Sequence, residues 1–189
     1  MPLNIPNLLT WLRIILIPLV VGVFYLPDEW FAAHEKNQAA TFMFVLAAIT
    51  DWLDGWLARK LDQQSAFGAF LDPVADKLMV AAALIVLVKL GRVDALIALV
   101  IIGREIAISA LREWMAKVGA ARSVTVNFLG KFKTIAQMVA IPLLLYQAPL
   151  HPLFPTHEIG TWLMYVAALL TLVSMFYYLK LAAPAIRAH

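Results

Sequence analysis

Six stretches of the chain are apolar over enough residues to form membrane-spanning helices, at roughly 8–26, 39–59, 73–90, 93–115, 133–149 and 159–180. A helix needs about 20 mostly apolar residues to cross a bilayer. The third stretch has the softest limits, because its uninterrupted apolar core is only LMVAAALIVLV, residues 78–88. Pro27, Gly91, Gly119 and the segment APLHPLFP at 148–155 mark connections between the stretches. Pro18 and Pro142 fall inside predicted spans, where membrane helices tolerate a kink. With no internal repeat, low-complexity linker or second pattern, residues 1–189 read as a single all-α membrane domain.

Composition agrees with the pattern. Hydrophobic residues make up 63% of the chain and charged residues 14%, and the mean hydropathy is +0.83. Soluble domains run at roughly 45–50% apolar and about 25% charged, so this chain has too little polar surface to cover a globule in water. The absence of cysteine excludes disulfides, thiolate metal ligands and a cysteine nucleophile. The opening MPLNIPNLLT has no basic n-region, and no small-residue cleavage site follows the first apolar stretch. Insertion is therefore expected to use the first helix itself, and the missing presequence favours a bacterial inner (cytoplasmic) membrane.

The net charge is only +3, so the placement of the basic residues carries more information than their sum. With the N-terminus inside, twelve Lys and Arg residues lie on or near the cytoplasmic face, and only Lys36, Lys89 and Arg92 lie opposite. This asymmetry predicts six transmembrane helices with both termini cytoplasmic. No nucleic-acid partner is expected. The small-residue run AAA at 81–83 permits helix packing, and with it a homodimer.

Candidate chemistry concentrates in DWLDGWLARKLDQQSAFGAFLDPVAD, residues 51–76. Asp51 and Asp54 are three apart at the cytoplasmic end of the second span and share a face. Asp72 precedes Pro73, which reads as an N-cap followed by proline at the first helical position. Asp76 comes one turn later. Two antiparallel helices would then point four carboxylates into one small volume. Such acids repel one another, and divalent cations relieve the repulsion; Mg²⁺ favours a few carboxylates together with phosphate oxygens. Gly55 and Gly68 allow close approach, Arg59 offers a planar fork to phosphate, and Ser65 offers a hydroxyl. A plainer reading makes Asp51 and Asp54 solvated helix-end residues and Asp72 only a cap. Four acids at these spacings weigh against it, because intramembrane acids usually mark function.

The pattern D-x-x-D-G-x-x-A-R-x8-G-x-x-x-D-x-x-x-D, complete here in Asp51, Asp54, Gly55, Ala58, Arg59, Gly68, Asp72 and Asp76, resembles the signature of the CDP-alcohol phosphatidyltransferases. The resemblance implies six membrane helices around a polar two-metal cavity open to the cytoplasmic face. It implies transfer of a phosphatidyl group from CDP-diacylglycerol to an alcohol, with release of CMP. It also implies two divalent cations, Mg²⁺ or Mn²⁺, held by Asp51, Asp54 and Asp72. Asp76 is implied as the base on the attacking hydroxyl and as a further metal contact. Paired cations about 4 Å apart clamp attacking and leaving oxygens, and phosphoryl-type transfer then needs positioning, charge stabilisation and a proton acceptor.

Asn7, Thr10 and Arg13 form a polar stripe at i, i+3 and i+6 in the first helix. Spacing alone leaves open that Asn4 or Asn7 caps the helix while Arg13 snorkels to headgroups. The resemblance instead assigns the stripe to CDP-diacylglycerol binding, together with Gly55, Ala58, Arg59, Ser65 and Gly68. In the fourth span Arg104 and Arg112, eight apart, lie nearly on one face, with Glu105 and Glu113 beside them; Lys131 and Lys133 precede the fifth span. Lys117 and Arg122 read as a positive belt at anionic lipid. Arg104 lies within an apolar run and needs a partner or a polar cavity. Arg104, Arg112, Lys131 and Lys133 together suit a phosphorylated acceptor. The segments NIPNLLTWLRI, FGAFLDPVADK, REIAISALREWMA and GKFKTIAQM look like those of family members whose acceptor is glycerol 3-phosphate. Inositol phosphate, serine and phosphatidylglycerol are the alternative acceptors.

Two other classes fit less well. An intramembrane prenyltransferase needs a second Asp-rich motif, yet beyond position 76 the acids are Asp94, Glu105, Glu113 and Glu158, with no such spacing. A divalent-cation transporter needs acids near the bilayer centre, whereas these lie towards one end beside a basic cluster. The four histidines fall in non-cytoplasmic loops or the tail, away from the acids.

Overall fold

The computed structural model describes residues 5–61, 66–118, 128–149 and 154–188; at 5–7, 58, 59, 66, 67, 69, 128, 129, 131, 185, 187 and 188 it describes the backbone alone. Helices dominate: α1 (Ile5–Gly22, continued by a 3₁₀ turn at Val23–Tyr25), α2 (Ala33–Lys60), α3 (Ala66–Lys89), α4 (Ala95–Lys117), α5 (Phe128–Tyr146) and α6 (Thr156–Ala188). Each of the six apolar stretches is one helix. Leu8–Tyr25, Ala33–Leu57 and Thr156–Pro184 are long and apolar enough to cross a membrane, and Phe132–Tyr146 is a shorter apolar helix. In α3 and α4 the charges at Asp72, Asp76, Lys77, Arg104, Glu105 and Arg112 break up the apolar run.

The starts of the helices differ most from expectation. α2 begins at Ala33 rather than 39, because the Glu35 carboxylate accepts from the Ala32 backbone N–H at 2.7 Å and satisfies a donor of the first turn. α3 begins at Ala66, so Asp72 is not an N-cap and Pro73 lies inside the helix. The preceding AFGAFLD continues the helix past the one hydrogen bond that proline cannot donate. α4 does start on a side-chain cap, as Asp94 Oδ1 accepts from Leu96 N–H at 2.8 Å. At the end of α3, Gly91 has φ +67°. Its N–H reaches Val88 O and that of Arg92 reaches Leu87 O, a Schellman closure for which glycine is the low-strain residue.

The apolar core occupies one end of the bundle. It combines Leu16–Val23 of α1, Ala40–Ala47 of α2, Met79–Leu87 of α3, Ala98 and Ile101 of α4, Ala140–Leu145 of α5 and Met164 of α6. These segments come alternately from C-terminal and N-terminal halves, as neighbours of opposite direction require. Among the buried polar residues, Thr10, Arg13, Asp54, Lys133 and Ser174 are drawn from the other halves, and Arg104 and Gln137 lie near the middles of α4 and α5. α1 packs between α2 and α3, while α6 packs on α5 and α4. A Cβ added at Gly160 would stand 2.9 Å from Leu144 Cγ, so glycine there lets α6 start against α5. Outward, Trp52, Phe70, Leu96, Trp162 and Phe176 each expose 67–71% of their surface. An apolar exterior this extensive is the mark of a chain whose solvent is lipid.

Polar straps close the packed end. Lys36 donates to Leu26 O and Asp28 Oδ1, both at 2.6 Å, and this ion pair holds the Asp28 carboxyl below its ordinary pKa of 3.8. Arg92 donates to the carbonyls of Leu144 at 3.0 Å and Leu145 at 2.8 Å, and to Asn37 Oδ1 at 2.9 Å. It thereby satisfies carbonyls left open at the end of α5 and ties that end to α2. Arg92→Met removes three charge-assisted bonds and is expected to cost about 2–3 kcal/mol. Thermal unfolding in detergent should show a lower midpoint, with substrate KM values unchanged because the strap is at the end opposite the site.

Candidate active site

The first helix packs against both helices that carry the acids. Arg13 of α1 is 1% exposed. Its guanidinium pairs with Asp51 Oδ1 at 2.5 Å and donates to Asp54 Oδ2. One turn earlier, Thr10 Oγ1 donates to Asp72 Oδ1 at 2.7 Å. Thr10 and Arg13 are three apart on one face, so α1 holds both acids of α2 with one residue and Asp72 of α3 with the other. Arg13 thus turns inward rather than snorkelling to headgroups. Asp76 faces the same region: Arg13, Asp51 and Asp76 together line a narrow cleft.

Among the described residues, no group of three or more His, Asp or Glu side chains is arranged to hold a metal ion. Asp51 of α2 and Asp76 of α3 nonetheless face one cleft. Arg13 supplies positive charge to Asp51 and Asp54 there. The donor chemistry still fits hard cations: Asp51 and Asp54 lie one helical turn apart, buried or half-buried, and the first pair already requires a cationic partner where it stands.

A cavity of about 540 Å³ opens beside the acids, with Asp76 and Lys77 of α3, Arg104, Glu105 and Arg112 of α4, Lys133 and Gln137 of α5, and Tyr178 of α6 in its wall. Arg104 is 7% exposed; it donates to Ser174 Oγ at 3.0 Å and lies 3.6 Å from Glu105 Oε1. Lys133 also donates to Glu105. Arg112 donates to the Tyr178 hydroxyl at 2.8 Å. The Tyr178 ring has the Arg112 guanidinium carbon 4.9 Å from its centroid and that of Arg104 at 5.6 Å, within cation–π range. One carboxylate and one phenol thus hold three cations around an open space. Beside it, Phe44, Val45, Trp52 and Met138 line an apolar groove of about 280 Å³ between α2 and α5.

Of the residues singled out by sequence, the structure brings Asp76, Arg104, Arg112 and Lys133 to one cavity, and links Thr10, Arg13, Asp51, Asp54 and Asp72 beside it. Gly55 is in α2 and Gly68 is buried in α3. Asn7 lies inside α1 rather than capping it, and its side chain is outside the described residues, as are those of Ala58, Arg59 and Lys131; Ser65 is outside them altogether. Glu113 does not brace Arg112. It pairs with Lys117 at 2.8 Å on an exposed face, where such pairs contribute little. Sequence reasoning missed Gln137, Ser174 and Tyr178. The available signal was polar residues at i, i+4 in apolar helices, Lys133 with Gln137 and Ser174 with Tyr178.

The family model for CDP-alcohol phosphatidyltransferases matches residues 3–173. The chain is 50% identical to the CDP-diacylglycerol–glycerol-3-phosphate 3-phosphatidyltransferase of Shigella flexneri serotype 5b (strain 8401) and to that of Escherichia coli (strain K12). Each match runs over 184 residues and covers 96% of this chain and 96% of the relative.

Arg13→Met would leave the buried Asp54 without its counter-charge, a change that costs about 3–5 kcal/mol for buried pairs. The unfolding midpoint without divalent cations should fall. Added Mg²⁺ should raise the midpoint further for Arg13→Met than for the unsubstituted protein, because no guanidinium competes for the carboxylates. Equal shifts in the two proteins would show that Arg13 and the cation do not share ligands.

Proposed function

The chain belongs to the CDP-alcohol phosphatidyltransferase family, and from that premise we propose that it transfers the phosphatidyl group of CDP-diacylglycerol to glycerol 3-phosphate. The products are phosphatidylglycerol phosphate and CMP. One observation carries the choice of acceptor: a single cavity holds Asp76 and the cations Arg104, Arg112 and Lys133, so it can seat an anionic alcohol with its hydroxyl near a carboxylate. The relatives named for glycerol 3-phosphate support the same choice.

In this reading Asp51, Asp54, Asp72 and Asp76 hold two divalent cations, Mg²⁺ or Mn²⁺, which when bound neutralise charge on the pyrophosphate. Asp76 accepts the proton of the acceptor hydroxyl. As its oxygen bonds to the phosphatidyl phosphorus, the bond from that phosphorus to the CMP oxygen breaks, and CMP leaves with the electron pair. Arg104, Arg112, Lys131 and Lys133 orient the acceptor phosphate; charge-assisted contacts of this kind are the strong ones. Glu105 and Tyr178 hold Arg104, Arg112 and Lys133 around the space for the phosphate. Asn7, Thr10, Arg13, Gly55, Ala58, Arg59, Ser65 and Gly68 serve the nucleotide lipid, and the groove between α2 and α5 suits an acyl chain. We place all six helices across the bacterial inner membrane as one domain over residues 1–189, with both termini and the cavity on the cytoplasmic side; the Lys and Arg distribution supports that orientation. A homodimer is compatible with the small-residue faces.

Purified protein given CDP-diacylglycerol and a panel of acceptors tests the assignment. CMP release should require glycerol 3-phosphate, and preference for inositol phosphate, serine or phosphatidylglycerol would refute it. Asp51→Asn, Asp54→Asn and Asp72→Asn should each lower kcat at least about 100-fold, as the loss of a charged ligand from a shared dication site implies. Chelation should do the same and be reversed by added Mg²⁺. Asp76→Asn should lose turnover while still binding metal, read by calorimetry. Arg112→Ala and Lys133→Ala should raise KM for glycerol 3-phosphate about 10–100-fold with little change for CDP-diacylglycerol, whereas Arg59→Ala should show the reverse. Equal effects on both substrates would mean that these cations face lipid rather than a pocket.

A further inference from the structure

The cavity contains two buried groups that the contacts described so far do not use. Gln137 is 4% exposed and lines the cavity, and its Oε1 has no hydrogen-bond partner among the described residues. Arg104 Nε, in the same wall, is also buried and unpartnered. An unmade hydrogen bond at a buried polar atom is costly, and native proteins seldom leave one without a reason. A donor and an acceptor left open in one cavity call for a ligand that carries both an acceptor group and a donor group.

The two openings differ in what they can take. Arg104 Nε can receive only an acceptor, such as a phosphate oxygen. A carbonyl oxygen repels phosphate oxygens and can receive only an O–H or N–H. Gln137 follows Lys133 by four residues on α5, so the two lie on the same helix face about 6 Å apart along the axis. A phosphate held at Lys133 and Arg104 would leave the next carbons of the acceptor in reach of Gln137. Glycerol 3-phosphate has two hydroxyls: the terminal one attacks, and the one on the middle carbon is not consumed.

We propose that Gln137 is the specificity-determining residue that accepts a hydrogen bond from the non-reacting hydroxyl on the acceptor's middle carbon. The assignment rests on glycerol 3-phosphate being the acceptor. It gives the cavity three separate jobs: cations for the phosphate, Asp76 for the attacking hydroxyl, and a neutral carbonyl for the spectator hydroxyl. A site built to pair with a hydroxyl rejects the analogue that lacks it, because the buried acceptor is then left unpaired.

The test varies the hydroxyl and the amide independently. Glycerol 3-phosphate and 3-hydroxypropyl phosphate, which keeps the phosphate and the attacking hydroxyl but lacks the middle one, are compared with the unsubstituted protein, Gln137→Met and Gln137→Leu. The unsubstituted protein should prefer glycerol 3-phosphate about 10–100-fold in kcat/KM. Both variants should lose most of that preference by turning over glycerol 3-phosphate less well, with 3-hydroxypropyl phosphate use and KM for CDP-diacylglycerol nearly unchanged. Such non-additivity reports direct coupling between the two groups. Equal use of both acceptors by the unsubstituted protein overturns the proposal without any variant. A variant that slows both acceptors alike also overturns it and makes Gln137 a packing residue. If the unsubstituted protein turns over a different acceptor and not glycerol 3-phosphate, the acceptor assignment itself fails, and this inference with it.

Discussion

The arrangement of the first three helices depends on one buried guanidinium. Arg13 is drawn into the bundle by Asp51 and Asp54, and in a medium of low dielectric neither the arginine nor Asp54 could stay buried alone. Their pairing fixes the rotation of α1 about its axis, which in turn sets Thr10 against Asp72. Leu16 and Val20, further along α1, then face the core. A helix whose outer surface is Leu12, Ile15 and Leu19 could otherwise rotate with little change in its contacts with lipid. The polar contacts decide which face is inside.

The bundle is accordingly built with unequal ends. One end is filled with alanine, leucine, valine and isoleucine at high density, strapped by Arg92 and Lys36. The other end keeps its interior polar and partly hollow. Each cation there is held by a partner that neither displaces it nor covers it: a carboxylate shared between Arg104 and Lys133, and a phenol and its ring shared between Arg112 and Arg104. Shared partners leave donor capacity free, and free donors are what an incoming anion needs. The packed end supplies the rigidity that lets the open end stay hollow.

Much of this was legible in the sequence. Apolar length located all six helices, because in lipid the periodic polar face that complicates soluble helices is small. The aspartate spacing led to the family to which the chain belongs, and Arg104 within an apolar run announced a polar cavity. Helix starts were less legible. Pro73 looked like a beginning, yet a helix in apolar surroundings carries on through a proline when its neighbours favour helix on both sides. The anchoring of Asp51, Asp54 and Asp72 by Arg13 and Thr10 was invisible, since spacing within α2 and α3 says nothing about which helix packs on both. Tyr178 and Gln137 were hidden for a different reason: a single tyrosine or glutamine in an apolar helix is common, and only the facing helices give it a role.

The chain order carries a consequence of its own. The acids of the signature and their anchors come from α1, α2 and α3, whereas the cavity cations, with Glu105, Gln137 and Tyr178, come from α4, α5 and α6; Asp76 stands at the seam. Under the roles proposed above, substitutions in the C-terminal three helices would retune which alcohol is admitted while the N-terminal three keep the reaction unchanged. A lineage that diversified its headgroups would leave its record in the second half of the gene, and exchange of that half between relatives would be a natural route to a new lipid.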